Sequence, residues 1–158
     1  MNIGLVGSGE VALALGTKLL ELGHEVMISS RDISMEKDRG VRGKIPSVNA
    51  FCNTHSLGER IQEALPATKV VKTLNAVNAD VMVNPSLIAG DHDLFMAGND
   101  AEAKRWVKDT FLMEWFGWKS VVDLGDITAA RAMEMYLLLW LRLWGVLQTP
   151  NFNVKVVK

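Results

Sequence analysis

The glycine-containing turn at residues 7–12 constrains the fold of this chain more than any other part of the sequence. It separates a short apolar run, residues 3–6, from a segment in which apolar residues recur at helical spacing. The helical positions are Ala12, Leu15, Leu19 and Leu22. Gly23 stands where the end of a helix favours a left-handed residue, and residues 25–29 predict a second strand. The sequence therefore predicts strand, turn, helix and strand over residues 1–31.

The turn itself, Gly7-Ser8-Gly9-Glu10-Val11-Ala12, has the spacing Gly-x-Gly-x-x-Ala, which suits a pyrophosphate bound at the start of a helix. Gly7 permits the tight turn, Gly9 lets the backbone approach the phosphates, and Ala12 lets helix and strand pack closely. The N-terminus of the helix supplies free N–H groups. Because the motif follows a predicted strand and opens an amphipathic helix, a dinucleotide site is favoured over a purely structural turn.

The end of the second strand indicates which dinucleotide is bound. NAD-binding proteins usually place Asp or Glu there to hold the ribose hydroxyls, whereas this chain has Ser29-Ser30-Arg31. A guanidinium with neighbouring hydroxyls suits a 2′-phosphate, because Arg presents a forked pair of donors to phosphate oxygens. NADP is therefore favoured over NAD. The alternative is a surface arginine, and Asp32 beside it leaves that alternative open.

The segment from residue 31 to residue 53 does not follow this pattern. It is polar at first, and only residues 45–52 would form a poor strand. A Rossmann half requires a further strand and helix here, at roughly 30 residues for each βαβ unit. No helix of the required amphipathicity is visible, so the sheet is expected to be abbreviated in the middle.

Regular patterns resume at Ser56, which forms a capping box with Glu59 at the start of a helix that Pro66 ends. A second cap, Asn99 with Glu102, opens a helix with an apolar face between residues 103 and 111, and Asp126 caps a long helix over residues 127–147. The predicted strands are residues 69–74, 94–97, 120–124 and, as a weak edge strand, 152–157.

Composition narrows the class of protein. A chain of 158 residues with 49% apolar residues and a net charge of −1 fits one globular domain and argues against nucleic-acid binding. Its single cysteine, Cys52, excludes an intrachain disulfide and is expected to be a buried, inert thiol. The N-terminus lacks signal-peptide features, and the apolar run at residues 136–147 contains Arg142 and is shorter than the roughly twenty residues of a membrane span. We expect a cytoplasmic protein without a membrane or nucleic-acid partner.

The long last helix is apolar over most of its circumference. Its polar residues fall on one side, whereas the tryptophans and most leucines cover the rest; the polar positions are Thr128, Arg131, Glu134 and Arg142. A chain of this size can hardly cover such a helix alone, which predicts a homodimer through residues 127–147. Simple burial in the core is an equally weighted alternative.

These patterns resemble the NADP oxidoreductases that act with the deazaflavin coenzyme, and their bacterial dinucleotide-binding relatives. The resemblance begins with the glycine turn and Ser30-Arg31 and continues to the C-terminus. Its other segments are residues 23–26, 69–75, 97–104, 123–127, 139–145 and 152–155. In such proteins about 50 more residues, as two strand and helix units, stand where this chain has its short middle.

The resemblance implies roles for eight residues in binding the cofactor. Five consecutive residues would line the pyrophosphate: Gly7, Ser8, Gly9, Glu10 and Val11. Ser30 and Arg31 would contact the adenosine phosphate, and Asn75 would lie on the nicotinamide side or serve as a structural cap. The second carrier would be a flavin, a deazaflavin or a small organic acceptor.

Hydride transfer needs no acid or base side chain of its own, so the catalytic residues stay unknown. No metal site is expected, because His24 is read as a helix end and His55 and His92 as solvated loop residues. Four carboxylates are interpreted as turn and cap residues: Asp91, Asp93, Asp123 and Asp126.

The sequence thus predicts an α/β fold with a Rossmann-like parallel sheet and flanking helices, abbreviated in the middle, and a long buried C-terminal helix. One NAD(P)-binding domain would span residues 1–158, with a phosphate-binding unit (1–31), an irregular segment (32–55), the remaining α/β part (56–126) and a dimerisation part (127–158). The expected function is an NADP(H)-dependent oxidoreductase. Two alternatives stay open: a dinucleotide-binding protein that is catalytically incomplete, and a dimerisation module with a degenerate turn.

Overall fold

A computed structural model describes residues 1–29 and 54–158, and the chain divides into two compact units, Met1–Ser47 and Val48–Lys158. Ser30, Arg31, Cys52 and nearly all of the irregular segment lie outside the described residues. The expectation of a single domain stays a prediction.

The first unit is the predicted strand, helix and strand. Strand β1 spans Asn2–Val6, helix α1 spans Glu10–Glu21 and strand β2 spans Glu25–Ser29. The two strands pair in parallel, with Asn2 opposite Glu25 and Val6 opposite Ser29. Gly23 ends α1 in the left-handed conformation (φ +81°), as the sequence predicts, because glycine adopts this backbone at no steric cost.

The second unit contains a three-stranded sheet in the order β3-β4-β5. The strands are β3 (Val71–Lys72), β4 (Leu94–Gly98) and β5 (Val121–Asp123). Strands β4 and β5 pair in parallel, whereas β3 pairs with β4 in the antiparallel direction. The predicted strand at residues 69–74 is thus reduced to two residues, and its direction was not visible in the sequence.

The described part of the second unit also contains four α-helices, and α5 is the long C-terminal helix that the sequence predicts. They are α2 (Leu57–Ala64), α3 (Ala79–Val83), α4 (Ala101–Trp106) and α5 (Ala130–Leu147). Helix α4 continues as a π-helix, Val107–Trp115, and Asp126 caps a 3₁₀ turn, Ile127–Ala129, that leads into α5. The fold class is confirmed as α/β with parallel strand pairs, flanking helices and a long last helix.

Three predicted details are wrong. The cap of α4 is Asp100, which accepts a hydrogen bond from the Ala103 N–H at 2.8 Å, whereas Asn99 accepts one from the Ile127 N–H at 3.0 Å. Residues 152–157 form no strand, although the Asp93 N–H donates to the Val154 carbonyl at 2.8 Å. Asp93 is neither a turn nor a cap residue, since it is buried and bound to Lys155 and Ser120.

One histidine has surroundings that differ from those predicted from the sequence. His92 is half-buried rather than a freely solvated loop residue: its ring contacts the Pro85 carbonyl and the Asn153 amide, and it packs edge-on against Trp118. Within residues 1–29 and 54–158, no group of three or more His, Cys, Asp or Glu side chains is placed to hold a metal ion. No helix in those ranges combines the length and the apolar character needed to cross a bilayer.

Candidate functional site

The five residues predicted to line a pyrophosphate are consecutive: Gly7, Ser8 and Gly9 form the turn after β1, and Glu10 and Val11 begin α1. Gly7 adopts a φ of +108°, which an L side chain rarely tolerates, and its N–H donates to the Ser29 carbonyl at 2.7 Å. The turn is therefore fastened to the end of β2. This hydrogen bond brings the glycine turn and the C-terminal end of β2 to the same edge of the unit.

Gly9 is the N-cap of α1 and has extended backbone angles, φ −75° and ψ 177°. Its carbonyl already accepts the first helical hydrogen bond, from the Leu13 N–H at 3.0 Å. A Cβ added at Gly9 or at Gly7 would meet no atom of residues 1–29 or 54–158 within 4 Å. The described part of the chain thus leaves the space in front of the helix open, and a side chain at position 9 would fill part of it.

The first turn of α1 keeps donors for a ligand. Among the described residues, none accepts a hydrogen bond from the N–H groups of Glu10 and Val11. These amides point along the helix axis, where the helix dipole also favours negative charge. Glu10 and Val11 are themselves exposed, and Ser8 between the two glycines is half-buried.

Helix α2 shows what a helix start looks like when the protein itself satisfies it. The Ser56 Oγ accepts from the Glu59 N–H at 3.1 Å, and the carboxylate of Glu134 accepts from the N–H groups of Leu57 (2.9 Å) and Gly58 (3.3 Å). The predicted capping box is confirmed, and a carboxylate occupies the position that an anion would take. In α1, no described side chain plays that part.

Gly16 is a packing residue that the sequence analysis missed. A Cβ at this position would lie 3.2 Å from the Leu5 Cδ1 and 3.3 Å from the Ile28 Cδ1, so the close contact between helix and strands falls one turn beyond Ala12. The signal was present in the sequence, because glycine is unfavourable inside a helix and usually has a packing reason there.

Asn75 lies in the second unit, just after β3. Its Nδ2 donates to the Met133 carbonyl of α5, and its two neighbours, Leu74 (φ 55°) and Ala76 (φ 54°), both adopt left-handed backbone angles. Such angles are uncommon for non-glycine residues and strained for a bulky one. Asn75 also lines a cavity of about 200 Å³ beside α5. Its assignment to the nicotinamide side stays a prediction.

Two ion pairs link α5 to neighbouring elements. Arg131 donates through Nε to the Glu59 Oε2 at 2.8 Å and through a second nitrogen to the other oxygen, which lowers the pKa of Glu59 to about 2. Lys72 lies 3.4 Å from the Glu134 Oε1. The carboxylates of Glu59 and Glu134 therefore hold α2 and α5 in position relative to each other.

The strand, the glycine turn with its open helix start and the parallel second strand define a Rossmann-like α/β protein. A candidate F420-dependent NADP reductase from Arthrobacter sp. FB24, solved at 1.70 Å, is 34% identical to this chain; the match covers 100% of both chains with a TM-score of 0.86. At this identity over the whole chain, the protein belongs to the family of that F420-dependent NADP reductase, which confirms the resemblance seen in the sequence.

A second solved structure shares the fold. The imine reductase of Streptomyces aurantiacus is 14% identical, with a TM-score of 0.52, and the match covers 94% of this chain and 63% of that chain. No protein-family profile and no curated protein matches the sequence.

Proposed function

We propose that this protein is an NADP(H)-dependent oxidoreductase that transfers a hydride between the nicotinamide and a flavin-type, deazaflavin-type or small organic acceptor. The open N-terminus of α1, with Gly7 and Gly9 before it, carries the proposal. The name of the Arthrobacter relative supports NADP as the cofactor and a deazaflavin as one acceptor class.

The residues of the first unit fit a dinucleotide. The space that a Cβ at Gly9 would fill admits phosphate oxygens, and the Glu10 and Val11 N–H groups are placed to donate to them. From the sequence, Ser30 and Arg31 would contact the adenosine phosphate, and Asn75 would lie on the nicotinamide side. The nicotinamide supplies the hydride chemistry when bound, so the chain has to bind, orient and shield its ligands.

Binding is tested by replacing Gly9 with alanine. Since the Cβ would meet no atom of the described residues and the φ of −75° suits any residue, Gly9→Ala should fold normally. We expect calorimetry to show that the wild type binds NADPH more tightly than NADH. Gly9→Ala should weaken NADPH binding by roughly 100-fold, on the order of 3 kcal/mol, because its methyl group occupies the phosphate space.

Gly4→Ala is the matched control. A Cβ at Gly4 in β1 likewise meets no atom within 4 Å among the residues that the structure describes, and Gly4 lies outside the turn. The affinity of Gly4→Ala for NADPH should therefore equal that of the wild type. Equal affinity in all three proteins, or no binding of NADPH at millimolar concentration, would overturn the proposed site.

Turnover is tested separately, by following the oxidation of NADPH with flavin and deazaflavin acceptors. Tight binding without oxidation would favour the alternative of a dinucleotide-binding protein that is catalytically incomplete. The short segment at residues 32–55 is the reason for that alternative. Absence of any nucleotide binding would favour the dimerisation module.

We also propose that a second copy of this chain covers α5. The helix is buried along one side through Ala130, Met133, Trp140 and Leu141, whereas exposed apolar residues follow one another along the opposite side. Four exposed apolar residues form this stripe, and the exposed Arg142 lies among them. The apolar residues are Met135, Leu138, Leu139 and Val146. A twofold contact between two such helices would be self-complementary.

A further inference from the structure

A cavity of about 550 Å³ lies at the edge of the three-stranded sheet where β4 and β5 begin. Because these two strands run parallel, the residues just before them meet at the same edge. The cavity is lined by residues of the segments 85–92 and 117–120, together with Lys155. Its volume lies within the roughly 300–1,000 Å³ of small-molecule sites. Ligands of open α/β sheets usually bind at the opposite edge, where the strands end, so this cavity is separate from that usual site.

Two lysine side chains supply charged hydrogen-bond donors to this cavity. Lys119 is exposed and, within residues 1–29 and 54–158, its ammonium group has no hydrogen-bond or ion-pair partner. The Nζ of Lys155 donates to the Asp93 Oδ1 at 3.1 Å, yet the Lys155 side chain is 41% exposed. An ammonium group has three N–H donors, so all three of Lys119 and two of Lys155 are available to a ligand.

Asp93 fixes the position of Lys155. The Asp93 side chain is 3% exposed, and both of its oxygens are occupied. Its Oδ1 also accepts from the Ser120 Oγ at 2.5 Å, and its Oδ2 accepts from the Val156 N–H at 2.7 Å. The ammonium group of Lys155 is therefore ordered before a ligand arrives, which lowers the entropic cost of binding. Because Asp93 balances the charge of Lys155, the positive charge of Lys119 is the one that an anion would neutralise.

Apolar side chains form another part of the lining. They belong to Pro85, Ile88 and Ala89, which lie in one segment of the chain. The ring of His92 is part of the wall, but both of its nitrogens are already engaged, Nε2 with the Pro85 carbonyl at 3.1 Å and Nδ1 with the Asn153 amide at 3.0 Å. The imidazole is thus not available for proton transfer to a bound molecule, and the lining suits binding rather than acid–base chemistry.

Asp91 is the one carboxylate among the lining residues that the structure describes, and it is exposed. Its charge repels an anion, but water and salt screen an exposed charge strongly. The lining therefore presents two ammonium groups against one carboxylate, beside an apolar surface. This combination favours a ligand that has an anionic end and an apolar body.

We propose that this cavity binds a small organic carboxylate whose oxygens accept hydrogen bonds from Lys119 and Lys155. The apolar body of the ligand contacts the apolar part of the lining. A volume of 550 Å³ admits roughly 18 water-sized groups at about 30 Å³ each, so a single ring that carries a carboxylate fits. The inference does not depend on the proposed function, because the cavity belongs to the second unit and its occupancy is measured without a nucleotide.

The experiment titrates the full-length protein with benzoate, and benzamide, which has nearly the same shape but no charge, is the control ligand. Binding is followed by NMR through the backbone amides of Gly90 and Gly117, which line the cavity. We expect saturable shifts with benzoate and at least about tenfold weaker binding of benzamide, since a neutral amide forms no charge-assisted hydrogen bonds with lysine. Saturable shifts confined to the amides of Gly7 and Gly9 would place the carboxylate at the start of α1 and overturn the inference.

A pair of lysine variants tests the proposed donors. Lys119→Gln removes a charge without a partner in the described part of the chain, so it should fold normally and bind benzoate about tenfold more weakly. Lys158→Gln is the matched control, because Lys158 is also exposed but is not among the lining residues. Its affinity for benzoate should equal that of the wild type.

Asp91→Asn should change the affinity in the opposite direction. Removal of the like charge should tighten benzoate binding by about threefold at low ionic strength, a gain that damage to the fold would not produce. The inference is overturned if the wild type shows no saturable shift at Gly90 and Gly117, or if benzamide binds as tightly as benzoate. It is equally overturned if Lys119→Gln binds as the wild type does, or if Asp91→Asn binds no more tightly.

Discussion

Glu59 illustrates how much one side chain contributes to the second unit. Its carboxylate accepts from the Ser56 N–H at 2.8 Å and the Ser56 Oγ at 2.9 Å, and it binds the guanidinium of Arg131. It thereby closes the N-terminus of α2 and connects that helix to the start of α5. The other negative charge at this end of α2 is Glu134, which accepts from the next two N–H groups.

We expect this arrangement to make stability depend on pH in a defined window. The pKa of Glu59 falls from its ordinary 4.5 to about 2 in the folded protein, chiefly through the hydrogen bond from Arg131. Its contribution to the free energy of unfolding is therefore present above pH 4.5 and is lost as the pH falls through about 2.

Urea unfolding of Glu59→Gln at several pH values tests this. The wild type should be more stable than the variant at pH 7, and the difference should shrink between pH 4.5 and pH 2. Glu63→Gln, an exposed glutamate on the same helix, is the control and should follow the wild type. A difference that stays constant with pH would contradict the ionic role of Glu59.

At the scale of elements, close contact between α1 and its strands depends on Gly16. Because a Cβ there would already lie 3.2 Å and 3.3 Å from two side chains, larger groups must push the helix away from β1 and β2. The start of α1 is then no longer held in its position beside the glycine turn. Gly16 thus maintains the geometry of the candidate site, although it lies about two helical turns away from it.

Gly16→Val should destabilise the first unit by about 1–3 kcal/mol through overpacking. Thr17→Val, at the neighbouring exposed position, should change stability by less than about 0.5 kcal/mol. Hydrogen exchange of the amides in β1 and β2 measures both effects locally. Equal protection in the two variants would show that the helix contacts the strands elsewhere.

For the whole molecule, the exposed stripe on α5 bears on assembly. Its leucines and methionine expose apolar surface to water, whereas the opposite side of α5 is packed against the rest of the second unit. Exposed apolar patches of this kind often mark interaction sites. The homodimer proposed above is the arrangement that would cover the stripe with the same surface of a second chain.

Sedimentation of the wild type and two glutamate variants tests the proposed dimer. Leu138→Glu places a charge in the stripe and should convert the dimer to a monomer, because two carboxylates would be desolvated in the contact. Leu87→Glu is the matched control: Leu87 is 49% exposed and Leu138 is 48% exposed. Dimers that persist in Leu138→Glu, or a monomeric wild type, would refute the interface.

The sequence by itself determined the parts of this protein whose causes are local. The strand, turn, helix and strand of the first unit follow from apolar spacing and from glycines at Gly7 and Gly23 that adopt positive φ angles. The capping box at Ser56 and the cap at Asp126 were visible because each involves residues two or three positions apart. The family resemblance began with the glycine turn of the first unit and continued to the C-terminus.

The tertiary structure alone decided the features that join distant segments. Asp100 caps α4, whereas the side chain of Asn99 accepts a hydrogen bond from the distant Ile127 N–H. Residues 152–157 contact the buried Asp93, through the Val156 N–H among others, without forming a strand. The antiparallel direction of β3 and the cavity beside Asn75 likewise depend on which side chains meet across the fold. Periodicity reports which face of an element is apolar, whereas the partner that this face meets is set by packing in three dimensions.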